Sequence, residues 1–291
     1  MSRGAGRIAV VVLSQGNRPH ELSRCLDSAL AQTGVELDVL LVGNGWTPPT
    51  PLGRGVRTLA LPQNVGPAAG RNAGVRESTA ELVFFLDDDA WLDDPGVLRR
   101  VSDLFAERPT LGGLQLRVRD EDGTTLRRWV PRVRVGDPAR SGPAFALCEG
   151  VTMVRREAFE QVGGWPAAFF FGHEGIDLAW RMWDAGWELH YSGDLVARHP
   201  ATPATRHAQF YRLNARNRVW VTRRNLPILP GAAYLAVWTV TSMARLIRRP
   251  AAARVWLRGF AEGWRTDPGA RRPMRWRTIG KLARLGQPPI I

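Results

Sequence analysis

Short β-branched and apolar runs alternate with segments of helical periodicity through the first third of the chain. Residues 7–13 (RIAVVVL), 36–42, 56–61 and 81–86 are such runs, each bounded by turn-forming residues, and they predict strands. Between the first two, Leu22, Cys25, Leu26, Ala29 and Leu30 recur at helical spacing within residues 18–32. Residues 64–74 (NVGPAAGRNAG) follow the third strand, with Pro67 placed for the first turn of a helix. Strands alternating with helices imply a mostly parallel central sheet covered on both faces, hence an α/β fold.

From about residue 112 the pattern changes. Residues 114–118 and 125–133 flank the turn-forming Asp120-Glu121-Asp122-Gly123 and predict an antiparallel hairpin. Residues 145–155 predict a further strand, 157–162 a short helix ending at Gly163-Gly164, 174–185 a helix, and 187–197 a strand.

The candidate chemistry begins where the fourth apolar run ends abruptly in Asp87-Asp88-Asp89. Clustered carboxylates repel one another unless a cation or ligand neutralises them, and the carboxyl end of a strand is where open α/β sheets present ligand groups. A metal site follows; the competing reading is a set of solvated turn residues or helix caps, the role expected of Asp93 and Asp94 before Pro95. Arg71, one turn into the helix that starts near Gly66-Pro67, adds a cation to a helix N-terminus and makes a place for diphosphate.

A second acidic cluster lies in residues 169–181, where Phe169-Phe170-Phe171 precede His173, Glu174, Asp177 and Arg181. Asp177 is spaced for an ion pair with Arg181. Glu174, beside three phenylalanines, has surroundings that raise a carboxyl pKa toward that of a general base. His199, at the end of the last strand, is a suitable partner for a carboxylate-bound divalent cation.

Composition narrows the classes. The chain has 291 residues, 44% of them hydrophobic, enough for a substantial core and too many for a disordered protein. Its net charge of +13 is almost wholly arginine, since Lys281 is the only lysine, and arginine forks favour phosphate partners. Cys25 and Cys148 are too few for a disulfide framework or metal knuckle, and residues 1–7 have no apolar leader, which predicts a catalytic side in the cytosol.

In order and character these segments resemble glycosyltransferase family 2, whose fold is GT-A. The resemblance rests on residues 10–19 (VVVLSQGNRP), 40–45, 64–74, 84–89, 150–165, 174–181 with Ala185-Gly186, and His199, and covers roughly the first 200 residues. It implies inverting transfer of a sugar from a nucleotide diphosphate sugar to an acceptor hydroxyl. It further implies that Ser14, Asn44, Asn64, Gly66, Arg71, Asp87 and Asp88 face the donor. Asp89 and His199 would hold a divalent metal, Mg²⁺ or Mn²⁺, and Glu174 would be the base, with Asp177 and His173 as substitutes.

Two positions depart from the family pattern. Gly43 stands where many members have an acidic residue that helps hold the nucleobase, so the base stays open. Gly175 replaces the aspartate that commonly serves as catalytic base.

The resemblance divides the chain into a catalytic domain, residues 1–205, with a nucleotide-sugar half at 1–110 and an acceptor half at 111–205, and a helical basic extension, 206–291. Residues 226–243 run without a formal charge at the lower edge of a spanning length, but Pro227, Pro230 and Gly231 weaken the start. Downstream, Arg245, Arg248, Arg249, Arg254 and Arg258 interleave with apolar residues, as in an interfacial helix on anionic lipid. The expectation is a peripheral protein at the inner face of the cell membrane, with a carbohydrate or lipid-linked acceptor; the alternative is an apolar helix packed on the catalytic domain.

A Rossmann dehydrogenase is excluded because Gly4-Ala5-Gly6 precedes the first strand. No nucleic-acid module is legible, so nucleic acid is not an expected partner. A non-catalytic sugar-nucleotide-binding scaffold at the membrane is the remaining rival, suggested by Gly175.

Overall fold

The computed structural model describes residues 7–50, 52–53, 55–133, 136–203, 205 and 209–289. Of residues 1–7, on which the expectation about a leader rests, only Arg7 is among the described residues. The first half contains β1 (Ile8–Ser14), α1 (Pro19–Leu30), β2 (Leu37–Asn44), β3 (Arg57–Leu61), α2 (Pro67–Arg76), β4 (Leu82–Asp87), α3 (Val97–Glu107) and β5 (Leu111–Arg119). The second half adds β6 (Gly142–Pro143), β7 (Val151–Arg155), α4 (Arg156–Gln161), α5 (Glu174–Ala185) and β8 (Glu188–Arg198). Helices α6 (Phe210–Asn225), α7 (Ile228–Leu246), α8 (Pro250–Arg265) and α9 (Trp276–Arg284) follow.

The strands form one sheet in the order β3-β2-β1-β4-β7-β5-β8-β6. Strands β1 to β4 pair in parallel, as do β5 and β8, while β7 runs antiparallel between β4 and β5. Because side chains alternate along a strand, Ala9, Val11, Leu40, Val42, Val83 and Phe85 enter one core, with α2, α5 and α6. Ile8, Val10, Val12, Val39, Leu41 and Phe84 enter the other, with α1 and α3. Burial on both faces is why these strands read as continuous apolar runs.

The hairpin expected after residue 112 does not form. Its turn is present, with Gly123 N–H donating to Asp120 O at 3.0 Å, but no strand returns, and residues 127–129 make a single 3₁₀ turn. Both edges of β5 are already taken by β7 and β8, leaving no free ladder for a return strand. Gln115 instead donates from Nε2 to Trp129 O at 2.7 Å and tucks that segment against the sheet. The strand expected over residues 145–155 is confined to its second half, Val151–Arg155, and the residues before it form bends and turns. Of the expected caps, Asp94 accepts from Gly96 N–H at 2.8 Å ahead of α3, whereas Asp93 pairs with Arg198.

Helices α6, α7 and α9 are part of the same core, where Val219, Trp220, Tyr234 and Leu282 share a cluster with Phe85 and Trp180, and Phe260 of α8 packs against it. The tie is also polar. Asp177 in α5 is fully buried and accepts from Arg181 Nε at 2.7 Å, Arg224 Nε at 2.9 Å and Asn225 Nδ2 at 2.8 Å. Removing one partner of a buried ion network strands the others, which costs about 3–5 kcal/mol. Asp177→Ala is therefore expected to lower the unfolding free energy by about that much, read as a shift in urea midpoint at unchanged slope.

Candidate active site

Strands β1, β2 and β4 end in register, Leu13 lying beside both Val42 and Asp87, so Ser14, Asn44 and Asp87 emerge at one edge of the sheet. They line a cleft of about 580 Å³ together with Arg71, Asp88, Asp89, Glu149, Glu174 and His199. The position of His199 is set by backbone pairing: Trp91 and Arg198 exchange N–H···O bonds of 3.1 and 2.8 Å, which brings the end of β8 over the turn after β4.

Each acid of the triplet has its own partner. Asp87 Oδ1 accepts from Arg71 Nη2 at 2.6 Å, and its Oδ2 lies 3.8 Å from His199 Nε2. Asp89 Oδ1 lies 3.3 Å from the same nitrogen, while its Oδ2 pairs with Arg18. Asp88 turns the other way, accepting from Ser14 Oγ at 2.6 Å and pairing with Arg18 Nη2 at 2.7 Å. Burial pushes the Asp88 carboxyl up to about 6, against the Ser14 hydrogen bond and Arg18. For Asp87 desolvation acts upward too, but Arg71, His199 and Arg18 outweigh it and hold the carboxyl below its usual range.

Asp87, Asp89 and His199 offer ligand atoms that all lie within 4.8 Å of one another. His199 Nδ1 lies 2.8 Å from Pro200 O, and because a carbonyl only accepts, Nδ1 is the donor there, which leaves Nε2 as the ring nitrogen facing the two carboxylates. Two carboxylate oxygens and one imidazole nitrogen suit Mn²⁺ or Mg²⁺. The ligand set expected from the sequence, Asp89 and His199, is thus joined by Asp87.

The remaining donor-side residues are brought together as scaffolding and lining. Asn44 Nδ2 donates to Asn64 Oδ1 at 3.0 Å, and Asn44 Oδ1 accepts Val65 N–H at 2.9 Å. Asn64 Oδ1 also takes Gly66 N–H at 2.9 Å, so the two amides fix the turn into α2. Gly66 has φ +83 and sets the entry to that helix without lining the cleft, which Pro67 and Arg71 reach. A Cβ on Gly43 would lie 2.1 Å from Trp46 O, so the turn behind β2 closes the position where family members carry an acid.

On the acceptor side the expectations divide. Glu174 lines the cleft, is 2% exposed, and its Oε2 has no hydrogen-bond partner. Burial and the neighbouring Glu149 raise its carboxyl well above the usual range. Asp177 is not available as a base, because its carboxylate is consumed by Arg181, Arg224 and Asn225 outside the cleft. His173 does not line the cleft, and burial and Arg218 push its imidazole well below the usual range. Sequence reasoning missed Glu149, Arg18, Gln15 and Phe170. Glu149 had one faint signal, an acid followed by glycine just ahead of an apolar strand; Arg18 had none beyond a place in a quoted segment.

The sequence model described as "Glycosyl transferase family 2" matches residues 10–163, more than half of the chain. The chain belongs to that family. Among curated relatives, this family 2 glycosyltransferase is 28% identical over 251 residues to an N-acetylglucosaminyl-diphospho-decaprenol L-rhamnosyltransferase of Mycobacterium tuberculosis, spanning 69% of this chain and 81% of the relative. It is 26% identical over 206 residues to the glycosyltransferase AglE of Haloferax volcanii, spanning 66% and 67%. Among solved structures it resembles GalNAc-T7 with UDP, GalNAc and Mn²⁺ (TM-score 0.64, 14% identity, 97% of this chain and 57% of that one). It also resembles a mannosyltransferase of Pyrobaculum calidifontis with GDP-Man and Mn²⁺ (0.60, 18%, 96% and 79%). The fold of this glycosyltransferase is GT-A.

Mn²⁺ alone is expected to raise the melting temperature of the wild type and to leave Asp89→Asn and His199→Ala unshifted, with the variants' own melting temperatures close to wild type. At a concentration one hundred times the dissociation constant the stabilisation is about 2.7 kcal/mol. Differential scanning fluorimetry with and without a chelator reads it.

Proposed function

We propose that this glycosyltransferase is an inverting enzyme that moves a hexose or deoxyhexose from a nucleotide diphosphate sugar to a hydroxyl of a carbohydrate or lipid-linked acceptor in cell-surface polysaccharide or glycolipid synthesis. The observation that carries it is the Asp87, Asp89 and His199 ligand group beside Arg71 in one cleft. The mycobacterial relative's name, which describes a rhamnosyltransferase acting on a decaprenol-linked sugar, supports the deoxyhexose and lipid-linked readings. The UDP and GDP-Man of the two similar structures support a nucleotide donor, without choosing its base.

In this reading Asp87, Asp89 and His199 would hold a divalent cation, which when bound would supply charge neutralisation for the diphosphate. Arg71, 5% exposed and fixed on α2, adds a guanidinium to the same anion and needs no reorganisation as charge develops. Asn44 and Asn64 keep the turn before α2 in place, and Asp88 holds Arg18 and Ser14 behind the ligand group. Glu149 and Glu174 are the cleft carboxylates able to take the proton of the attacking hydroxyl.

Residues 1–205 are assigned to donor and acceptor binding in this proposal, and residues 206–291 to support and membrane contact at the cytoplasmic face. Among the described residues no helix is long and apolar enough to cross a membrane. Yet Ile228, Leu229, Val240 and Ile247 are 70–80% exposed, Trp264 and Trp276 more than half, and Arg245, Arg248, Arg249, Arg254 and Arg258 are exposed nearby. Apolar side chains and tryptophans beside arginines match a surface that settles on anionic lipid.

Three outcomes test the proposal. A panel of UDP-, GDP- and dTDP-sugars, each with and without Mn²⁺, is expected to show metal-dependent stabilisation by one nucleotide series. Release of nucleoside diphosphate from that donor is expected to fall at least about 100-fold in Asp89→Ala, the size of loss typical when a charge-stabilising group is removed. A binder without catalysis would stabilise with donor and release nothing. In sedimentation with vesicles, binding is expected to phosphatidylglycerol-containing membranes and not to pure phosphatidylcholine, and to weaken as salt rises.

A further inference from the structure

The glycine at position 175, where the family's usual aspartate is missing, has a geometric reason. A Cβ there would lie 1.9 Å from Leu147 O and 2.7 Å from Glu149 Oε1, so no side chain fits. Leu147 N–H donates to Gly175 O at 3.3 Å, and Glu149 Oε1 accepts Gly175 N–H at 2.8 Å. The segment ahead of β7 thus lies directly on the first turn of α5. Its carboxylate occupies the space into which a side chain on residue 175 would project.

That carboxylate is also well placed for chemistry. Glu149 lines the cleft with Arg71, Asp87 and His199, and the next residue, Gly150, accepts Asp87 N–H at 3.0 Å, tying the segment to the end of β4. Glu149 is partly exposed within the cleft, whereas Glu174 is almost completely covered. An acceptor hydroxyl entering from solvent meets the more accessible carboxylate first.

We propose that Glu149 is the catalytic base of the transfer, the carboxylate having moved from helix α5 to the segment ahead of β7, with Gly175 the residue that makes room for it. The proposal rests on the transferase reading above. A Glu149 oxygen takes the proton of the acceptor hydroxyl as that oxygen's electron pair forms the bond to the anomeric carbon. The bond from the anomeric carbon to the diphosphate oxygen breaks with its electron pair, the nucleoside diphosphate leaves, and the proton passes from Glu149 to solvent.

Glu149→Gln tests it, because glutamine keeps an oxygen for Gly175 N–H and cannot act as the base. With the nucleotide sugar that stabilises the wild type most, Glu149→Gln is expected to lower nucleoside diphosphate release by about 10²- to 10⁴-fold, with melting temperature and nucleotide–Mn²⁺ stabilisation unchanged. In Glu149→Ala, added azide or formate is expected to restore part of the turnover, which a merely bracing role would not allow. Turnover within about twofold of wild type in Glu149→Gln would overturn the assignment, and a large loss in Glu174→Gln alone would give the role to Glu174. Loss of fold or of nucleotide binding in Glu149→Gln would make Glu149 a brace. Failure of every nucleotide to stabilise the wild type would overturn the transferase reading beneath it.

Discussion

Everything at the cleft depends on holding like charges close together at the edge of the sheet. Unit charges 4 Å apart interact with about 4 kcal/mol at the effective dielectric of a protein surface, so Asp87, Asp88 and Asp89 cannot share one turn without compensation. The chain supplies it from three directions: Arg18 from the turn before α1 bridges Asp88 and Asp89, Arg71 from α2 pairs with Asp87, and His199 from the end of β8 faces Asp87 and Asp89. Arg18 and Ser14 keep Asp88 turned away, so that its two neighbours and His199 can offer their ligand atoms to one point. Competing demands on adjacent acids thereby become a division of labour.

The C-terminal helices belong to the same arrangement. Asn217, fully buried in α6, donates from Nδ2 to the carbonyls of Phe169, Phe171 and Gly172 at 2.8–2.9 Å, and Arg216 Nη2 donates to Phe169 O at 2.9 Å. Those carbonyls sit in the aromatic segment ahead of Glu174, where Phe170 takes φ +62, a left-handed backbone that a non-glycine residue adopts only when held. A buried amide whose two N–H bonds are shared among three carbonyls is a costly group to lose, so α6, with Leu213 lining the cleft, acts as its back wall. Helix α8 packs on α6 through Trp256 and Ala215, while Ile228, Leu229 and Val240 of α7 and Leu257 and Trp264 of α8 stay exposed.

Local pattern made much of this legible. The four parallel strands, α1, α2, α5 and β8 follow the apolar runs and helical spacings closely, since each is a short-range preference reinforced by burial on both faces. The acid triplet, Arg71, Glu174 and His199 were all visible as chemistry and all reach the cleft. What escaped is pairing between distant segments. The turn at residues 120–123 was real, but which strand lies beside β5 is decided by β7 and β8, far off in sequence. Asp177 was read correctly as an ion-pair partner of Arg181 and incorrectly as a spare base, because Arg224 and Asn225 arrive from a helix forty-odd residues away.

The two departures from family pattern share one physical form. At both Gly43 and Gly175 a backbone carbonyl, of Trp46 and of Leu147, stands about 2 Å from where a Cβ would be. Neither glycine is a truncated site left open to water; each is a place where a neighbouring segment has closed in. Near Gly43 the closure leaves Gln15, Asn44 and Asn64 as the polar groups of the cleft on that side. These amides bond to one another, Asn44 Nδ2 to Asn64 Oδ1 and Asn64 Nδ2 to Gln15 Oε1, so they carry no formal charge to that wall of the cleft. At Gly175 the closing segment brings its own carboxylate. A motif residue lost from one helix is therefore weak ground for calling the site dead, because its chemistry can be delivered by the segment that displaced it.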